Sequence, residues 1–174
     1  MTYDKIKSGD NMDKEFCCFF TGHRKLPKNR LDLIKELLRE KIKNLIEDKG
    51  VESFIAGGAL GFDTLAAQTV IEMKEEYPFV KLYLYLPCND QSKLWTAEDK
   101  YTWRLIMSQS DGYKYVTDGS YTDGCMQKRN YKMADDALYG IAYCVMSKSG
   151  TGMTMHYAEE HGKIVDNIAD GIYR

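Results

Sequence analysis

Three short segments of the sequence carry glycines and polar side chains suited to holding an anion. They are Thr21-Gly22-His23-Arg24, the stretch with Gly57, Gly58, Gly61 and Asp63, and Ser149-Gly150-Thr151. Glycine lets backbone N–H groups approach a ligand closely, and a helix that begins there adds unpaired donors and a partial positive charge. Arginine adds a guanidinium suited to phosphate. If the segments converge, they predict a site for a phosphate-bearing, nucleotide-like ligand.

Each segment also has a simpler interpretation. The glycines at 57–61 form neither G-x-G-x-x-G nor a Walker A sequence, so a tight turn with close helix–strand packing explains part of the pattern. Asp63 is expected to be the N-cap of the next helix, with ribose binding as the alternative. Arg24 could pair with a surface acid, but basic residues at the carboxyl end of a strand favour ligand binding. The segment 149–151 is either a bare turn or an anion-binding nest.

Four further side chains are candidates for the same site. Arg129 and Asn130 lie in a helical pattern of mixed polarity, where an isolated arginine is expected to be solvated. Gln91 and Trp95 are candidates for a base pocket, although Trp95 could instead cover an end of the core. The sequence contains no recognisable nucleophile–base pair. With three histidines and no paired Cys/His spacing, it predicts no metal site, and a nucleotide-type ligand is the one cofactor-like molecule expected.

These segments must be positioned by strands and helices that alternate along the chain. Apolar runs predict strands over 16–21, 51–56, 80–86, 112–117, 139–146 and 163–168. Helical periodicity fills the intervals, including 30–49, 96–110 and 153–161. The alternation predicts an α/β fold: a single Rossmann-like, doubly wound, mostly parallel sheet with helices on both faces. Because ligands of such sheets bind beyond the carboxyl ends of the strands, all three segments fall at the expected edge.

Composition limits the class of protein. The 174 residues, 44% hydrophobic and 29% charged, predict one domain over 15–174 after a loose polar tail over 1–14. The net charge of −2 argues against nucleic acid as the main partner. Five cysteines without a C-x-x-C pair indicate reduced thiols and a cytoplasmic protein. The polar N-terminus and the absence of long apolar runs predict neither a signal peptide nor a membrane span. A homo-oligomer is left open.

Taken together, the motifs resemble the YpsA-like proteins of the SLOG superfamily, which also contains the DNA-processing protein DprA (Smf) and the LOG or "lysine decarboxylase-like" proteins. The motifs are the three segments above, Pro87 with Gln91 and Trp95, Arg129-Asn130, and Tyr157-Ala158 after the last glycine turn. The resemblance runs from about residue 16 to residue 168. It implies a Rossmann-like sheet and a site for nucleotides or nucleotide-derived ligands.

The resemblance leaves three functions open. The first is a sensor or regulatory module that binds a ligand of the NAD or ADP-ribose type. Phosphate would then contact Arg24 and both glycine turns, Asp63 would take ribose and Trp95 would cover the base. The second is nucleotide N-glycoside hydrolysis of the LOG type with Arg129. The LOG motif P-G-G-x-G-T-x-x-E, however, places its catalytic Glu at Thr154. The third is single-stranded DNA binding of the DprA type, which the net charge opposes.

Overall fold

Six parallel strands form one sheet in the computed structural model, which describes residues 12–173. The strands are β1 (Cys17–Gly22), β2 (Ser53–Ala56), β3 (Lys81–Leu86), β4 (Gly112–Tyr115), β5 (Tyr139–Tyr143) and β6 (Ile164–Asn167). Their order in the sheet is β4-β3-β2-β1-β5-β6, and every neighbouring pair is parallel. The order reverses between β1 and β5, which makes their carboxyl ends the topological switch point. The predicted doubly wound α/β fold is confirmed.

Helices cover both faces of the sheet. They are α1 (Leu31–Lys49), α2 (Phe62–Met73), α3 (Ala97–Gln109), α4 (Cys125–Asp135), α5 (Gly150–Glu160) and α6 (Asp170–Tyr173), with 3₁₀ turns at Lys14–Phe16 and Lys28–Arg30. Buried residues of α1, α2 and α3 belong to one apolar cluster, and those of α4 and α5 belong to a second. None of the helices within residues 12–173 is long and apolar enough to cross a membrane.

The central strand and the longest helix follow directly from their sequence patterns. Residues 17–20 of β1 are completely buried and alternate between the two apolar clusters, as expected for a strand covered on both faces. In α1, residues 34, 38, 42 and 46 recur every fourth position and are buried. Gly50 ends this helix in the left-handed conformation at φ 69°, with its N–H bonded to the Leu45 carbonyl.

The structure differs from the predicted boundaries mainly after β5. This strand ends at Tyr143 instead of residue 146, because the N–H groups of Val145 and Met146 donate to His23 instead of to a neighbouring strand. Helix α5 begins at Gly150 instead of residue 153, since the Ser149 hydroxyl accepts from the Gly152 N–H and caps it. Helix α6 was not predicted. Residues 1–11 of the predicted tail lie outside the described part of the chain.

Candidate functional site

A cavity of about 260 Å³ lies at the switch point, beyond the carboxyl ends of β1 and β5. Its lining residues are Thr21, Gly22, His23, Arg24, Ala59, Asp63, Met126, Arg129, Asn130, Ser149, Gly150 and Thr151. Ten of the fifteen predicted site residues are in this lining. Two of the predicted segments therefore meet across the cavity because their strands are neighbours in the sheet.

Arg129 is a buried arginine with donors directed at the backbone. It is 3% exposed, and its Nη1 donates to the carbonyls of Gly57 and of Tyr85, the latter at 3.3 Å. Its Nε donates to Asn130 Oδ1 at 2.8 Å. Burial lowers the pKa of Arg129, and the nearby Asp63 opposes that effect. The expectation of a solvated arginine is therefore wrong: this guanidinium holds the ends of β2 and β3 against α4.

Asp63 is a buried carboxyl group beside this arginine. It is 6% exposed, and its Oδ2 accepts from the Ala59 N–H at 3.3 Å. Burial raises the pKa of Asp63, while the positive charge of Arg129 lowers it. The expected N-cap role is wrong, because Gly61 occupies the N-cap position and Asp63 lies in the first turn of α2. The N–H of Phe62 donates instead to the His23 carbonyl at 3.1 Å.

His23 connects the loop after β1 to the loop after β5. Its Nε2 accepts from the N–H groups of Val145 at 2.9 Å and Met146 at 3.3 Å. An imidazole nitrogen that accepts must be unprotonated, so these bonds require neutral His23. Burial lowers its pKa and favours the same form. Arg24, next in the chain, is exposed, and its Nη2 makes a long contact of 3.8 Å to Met126 Sδ.

The third predicted segment forms the first turn of α5. Ser149 is its N-cap: Oγ accepts from the Gly152 N–H at 3.1 Å and donates to the Met146 carbonyl at 2.6 Å. Gly150 and Thr151 occupy the first two helical positions, where N–H groups have no intrahelical acceptor. A Cβ atom built on Gly150 would meet no atom within 4 Å apart from its chain neighbours and the backbone of its own helix. Open space therefore lies beside the backbone at this edge of the cavity.

The glycines at 57–61 are surrounded by protein. A Cβ on Gly57 would lie 2.5 Å from Arg129 Nη1 and 2.7 Å from Asp63 Oδ2. A Cβ on Gly58 would lie 2.8 Å from Leu86, and one on Gly61 would overlap the Arg24 carbonyl. These three glycines are absent from the cavity lining. Their contacts fix the positions of Arg24 and Arg129, while the next residue, Ala59, reaches the cavity.

Gln91 and Trp95 also lie outside the cavity lining. The Gln91 amide packs beside Gly58, together with the indole nitrogen of Trp103. Trp95 contacts Trp103 edge to face, with ring centroids 6.3 Å apart. The two predicted base-pocket residues thus share one neighbour, Trp103, which lies in α3.

The sequence interpretation missed two residues of the lining, Ala59 and Met126, and Met126 contacts both arginines. Its Sδ contacts Arg24 Nη2 at 3.8 Å and Arg129 Nη2 at 3.9 Å. It precedes Arg129 by three positions in α4, and this spacing places two side chains on one face of a helix. The spacing was therefore the available indication that Met126 would share the site of Arg129.

A larger cavity of about 490 Å³ lies between α5 and the segment after β6. Glu159 and Asp170 line it, and no lysine or arginine does. Since these carboxylates would repel phosphate, the smaller cavity is the candidate site for an anion. Within residues 12–173 no group of three or more His, Cys, Asp or Glu side chains is placed to hold a metal ion. The five cysteines are free thiols.

Comparison with known proteins decides the family. Residues 14–164 match the YpsA family, described as the YspA SLOG family. The chain belongs to this family. It is 31% identical over 138 residues to the uncharacterized SPbeta prophage-derived protein YoqJ of Bacillus subtilis (strain 168), covering 73% of this chain and 81% of YoqJ. A UPF0398 protein of Bacillus pumilus (strain SAFR-032) is 35% identical over 123 residues, covering 71% of this chain and 66% of the relative.

Two solved structures share the fold of this YpsA-family protein. DNA processing protein A from Helicobacter pylori superposes with a TM-score of 0.63 at 18% identity, covering 88% of this chain and 65% of the other. DNA processing protein A (DprA) from Streptococcus pneumoniae gives a TM-score of 0.65 at 17% identity, covering 88% and 52%. At these identities the likeness concerns the fold. The matches to UPF0398 proteins of Bacillus cereus span about half of those relatives, at 49%.

Proposed function

We propose that this YpsA-family protein binds the phosphate of a nucleotide or nucleotide-derived ligand in the cavity at the switch point, as a sensor or regulatory module. The observation that carries the proposal is that Arg24 and the first turn of α5 line the same cavity after two neighbouring strands, β1 and β5. The N–H groups of Gly150 and Thr151 and the partial positive charge of the helix end suit an anion. The exposed guanidinium of Arg24 adds a cation to these backbone donors.

The two arginines would have different tasks. Arg129 already donates to Gly57, Tyr85 and Asn130, so moving it onto a ligand would leave buried carbonyls unpaired. Its contribution is a fixed positive charge in the cavity wall. Arg24 has a weak sulfur contact that a phosphate can replace at little cost. Phosphate contact is therefore assigned to Arg24, and positioning to Arg129.

Asp63 suits the ribose of the same ligand. One of its oxygens accepts from Ala59, and a carboxylate has about four lone-pair sites, so acceptor capacity remains. A ribose presents vicinal hydroxyl donors that such a carboxylate binds. With phosphate at Arg24 and α5, and ribose at Asp63, a ligand of the ADP-ribose or NAD type would place its pyrophosphate and one of its riboses in the cavity.

Isothermal titration calorimetry with ADP-ribose, AMP and inorganic phosphate tests the proposal. Arg24→Ala should weaken nucleotide binding about tenfold or more, as expected for loss of a charge-assisted hydrogen bond. Lys25→Ala is the matched control, since Lys25 carries the same charge on the same loop but does not line the cavity. Absence of binding at millimolar ligand, or equal effects of the two variants, would end the proposal.

A second candidate function is hydrolysis of a nucleotide N-glycosidic bond, and Asp63 is the observation that favours it. The sequence lacks the LOG-type Glu, yet a buried carboxyl group with a raised pKa lines the cavity close to Arg129. Such a group suits acid–base chemistry or stabilisation of an oxocarbenium ion. Chromatographic detection of free base released from AMP tests it. Asp63→Asn should abolish release while leaving AMP binding within a few-fold of the wild type; no release by the wild type removes this candidate.

Single-stranded DNA is a competing ligand for the same titrations. The Helicobacter pylori protein is described by its single-stranded DNA binding mode, and it shares this fold. DNA binding through phosphates weakens steeply with salt, in proportion to the number of phosphates contacted. An oligothymidylate that binds more tightly than ADP-ribose at physiological salt, with a steep salt dependence, would replace the small-ligand proposal.

A further inference from the structure

Three polar atoms near the cavity are buried and have no hydrogen-bond partner. They are Nε2 and Oε1 of Gln91 and Nε1 of Trp103. Burying an amide or an indole N–H without a partner is unfavourable, and buried polar groups in folded proteins are nearly always paired. Two donor atoms and one acceptor atom therefore lie together with unused hydrogen-bonding capacity.

These atoms lie one residue from the cavity wall. A Cβ on Gly58 would lie 3.3 Å from Gln91 Nε2 and 3.4 Å from Trp103 Nε1, so both side chains pack on the Gly58 backbone. Ala59, the next residue, lines the cavity. Because consecutive Cα atoms are about 3.8 Å apart, the backbone on which the two side chains pack lies one residue from the cavity lining.

We propose that Gln91 and Trp103 form a nucleobase subsite that recognises adenine. The Gln91 carboxamide presents a donor and an acceptor side by side, which matches the 6-amino group and the adjacent ring nitrogen of adenine. The Trp103 indole N–H supplies one more donor for a ring nitrogen. This inference rests on the proposed function, in which phosphate and ribose occupy the cavity next to Ala59.

The turn segment 89–95 controls access to this subsite. It carries Gln91 and is anchored on the loop before α4, where the Tyr121 N–H donates to Asp90 Oδ1 at 2.8 Å and the Asn89 N–H to Gly119 O at 3.1 Å. Its Leu94 is 93% exposed. Since the Gln91 amide atoms are sealed, a base reaches them only when this segment shifts away from Gly58.

Tryptophan fluorescence reports such a shift directly. The chain has two tryptophans, and both belong to this region, where Trp95 contacts Trp103. AMP should change the emission of the wild-type protein, whereas ribose 5-phosphate, which lacks a base, should bind without changing it. If the two ligands produce the same spectral change, the adenine subsite is wrong.

Affinity measurements test the assigned hydrogen bonds. AMP should bind about tenfold more tightly than purine riboside 5′-monophosphate, which lacks the 6-amino group. Gln91→Met, of similar size but without polar atoms, should abolish this preference and leave ribose 5-phosphate binding unchanged. Its melting temperature should equal or exceed that of the wild type, since an unpaired amide has been removed. Trp103→Phe, which keeps an aromatic ring, is the second variant and should weaken AMP binding several-fold.

The outcomes separate this inference from the proposed function. If AMP and ribose 5-phosphate bind equally, both depend on Arg24 and neither responds to Gln91→Met, the adenine subsite is overturned and the phosphate site stands. If no phosphate-bearing ligand binds, both proposals fail. If Gln91→Met lowers the melting temperature and leaves the preference for AMP intact, Gln91 has a packing role and the subsite is wrong.

Discussion

The glycine-containing loops after β2 and after β5 differ in what occupies the space beside their glycines. After β2, Gly57 faces Arg129 and Asp63, Gly58 faces Leu86, and Gly61 faces the Arg24 backbone. After β5, Gly150 faces open space at the cavity. The first loop uses its glycines to bring protein groups together, and the second leaves room for a ligand. A glycine cluster in a sequence therefore does not distinguish close packing of protein groups from space for a ligand.

Among the substitutions that affect the loop after β2, replacement of Arg129 should reduce stability the most. Arg129→Met removes the partner of two buried carbonyls and the positive charge beside Asp63, so the free energy of unfolding should fall by about 3 kcal/mol. Urea denaturation measures the loss. The double variant Arg129→Met/Asp63→Asn should recover part of it, because the carboxylate left without a cation is then neutral. Full additivity of the two substitutions would show that these groups do not interact.

The loss of folding stability caused by Arg129→Met should also depend on pH. Burial raises the pKa of Asp63 above 3.8 in the folded protein, so the folded state holds this proton more tightly than the unfolded chain. Ionising Asp63 therefore costs stability as pH rises from 3.8 through the raised pKa. Without Arg129 this cost increases, and the variant should lose more stability relative to the wild type at pH 7 than at pH 4. A pH-independent deficit would contradict this account.

Gly61→Ala should have the next largest effect. Gly61 has φ 78° and ψ −121°, a conformation that residues with a Cβ rarely adopt, and its new methyl group would overlap the Arg24 carbonyl. Strain and overpacking together should cost about 2 kcal/mol in urea denaturation. Because the displaced backbone belongs to Arg24, nucleotide affinity should fall with stability. An unchanged midpoint of urea denaturation would show that the loop after β2 is not tightly packed.

The second loop offers a matched pair of glycines. Gly150→Ala places a methyl group in open space and should change the free energy of unfolding by no more than about 0.5 kcal/mol, while nucleotide affinity falls several-fold. Gly152→Ala would overlap the Ser147 carbonyl and should be clearly destabilising. Thermal unfolding and calorimetry on both variants separate the two properties. If Gly150→Ala leaves affinity intact, the open space is not the ligand site.

The smallest expected effect concerns His23, which connects the loop after β1 to the loop after β5. Its pKa is lowered below 6.5 in the folded protein, so the unfolded chain binds the proton more readily and stability falls as pH drops below 6.5. His23→Gln should reduce this dependence in urea denaturation between pH 7 and pH 5. His156→Gln, on the exposed surface of α5, is the control and should leave it unchanged. If the stability of the wild type, His23→Gln and His156→Gln depends on pH in the same way, neutral His23 does not stabilise the contact between the two loops.

The fold was predictable because its determinants are local. Apolar runs separated by helical periodicity gave all six strands, and the parallel arrangement follows from that alternation. The meeting of Arg24 with Thr151 follows from the pairing of β1 with β5. The ligand-binding roles of these residues remain predictions. Helix α6 was not predicted because four residues are too few to show a helical period.

The burial of Arg129 could not be predicted, because its partners are distant in sequence. The carbonyls of Gly57 and Tyr85 lie 72 and 44 residues away, and any residue type supplies a carbonyl. The burial of Asp63 could not be predicted for the same reason. An acidic residue near a helix start suggests an N-cap, but Gly61 turns the chain earlier and leaves Asp63 in the first turn facing Arg129.

The pairing of β1 with β5 has a consequence for the chain while it is being made. The cavity lining includes residues 21–24 and 149–151, so a polypeptide that ends before residue 149 lacks part of it. A ribosome-bound precursor that ends before α5 has no complete pocket, however well its first strands have folded. Under the proposed function, ligand would therefore be captured only by chains that extend through α5.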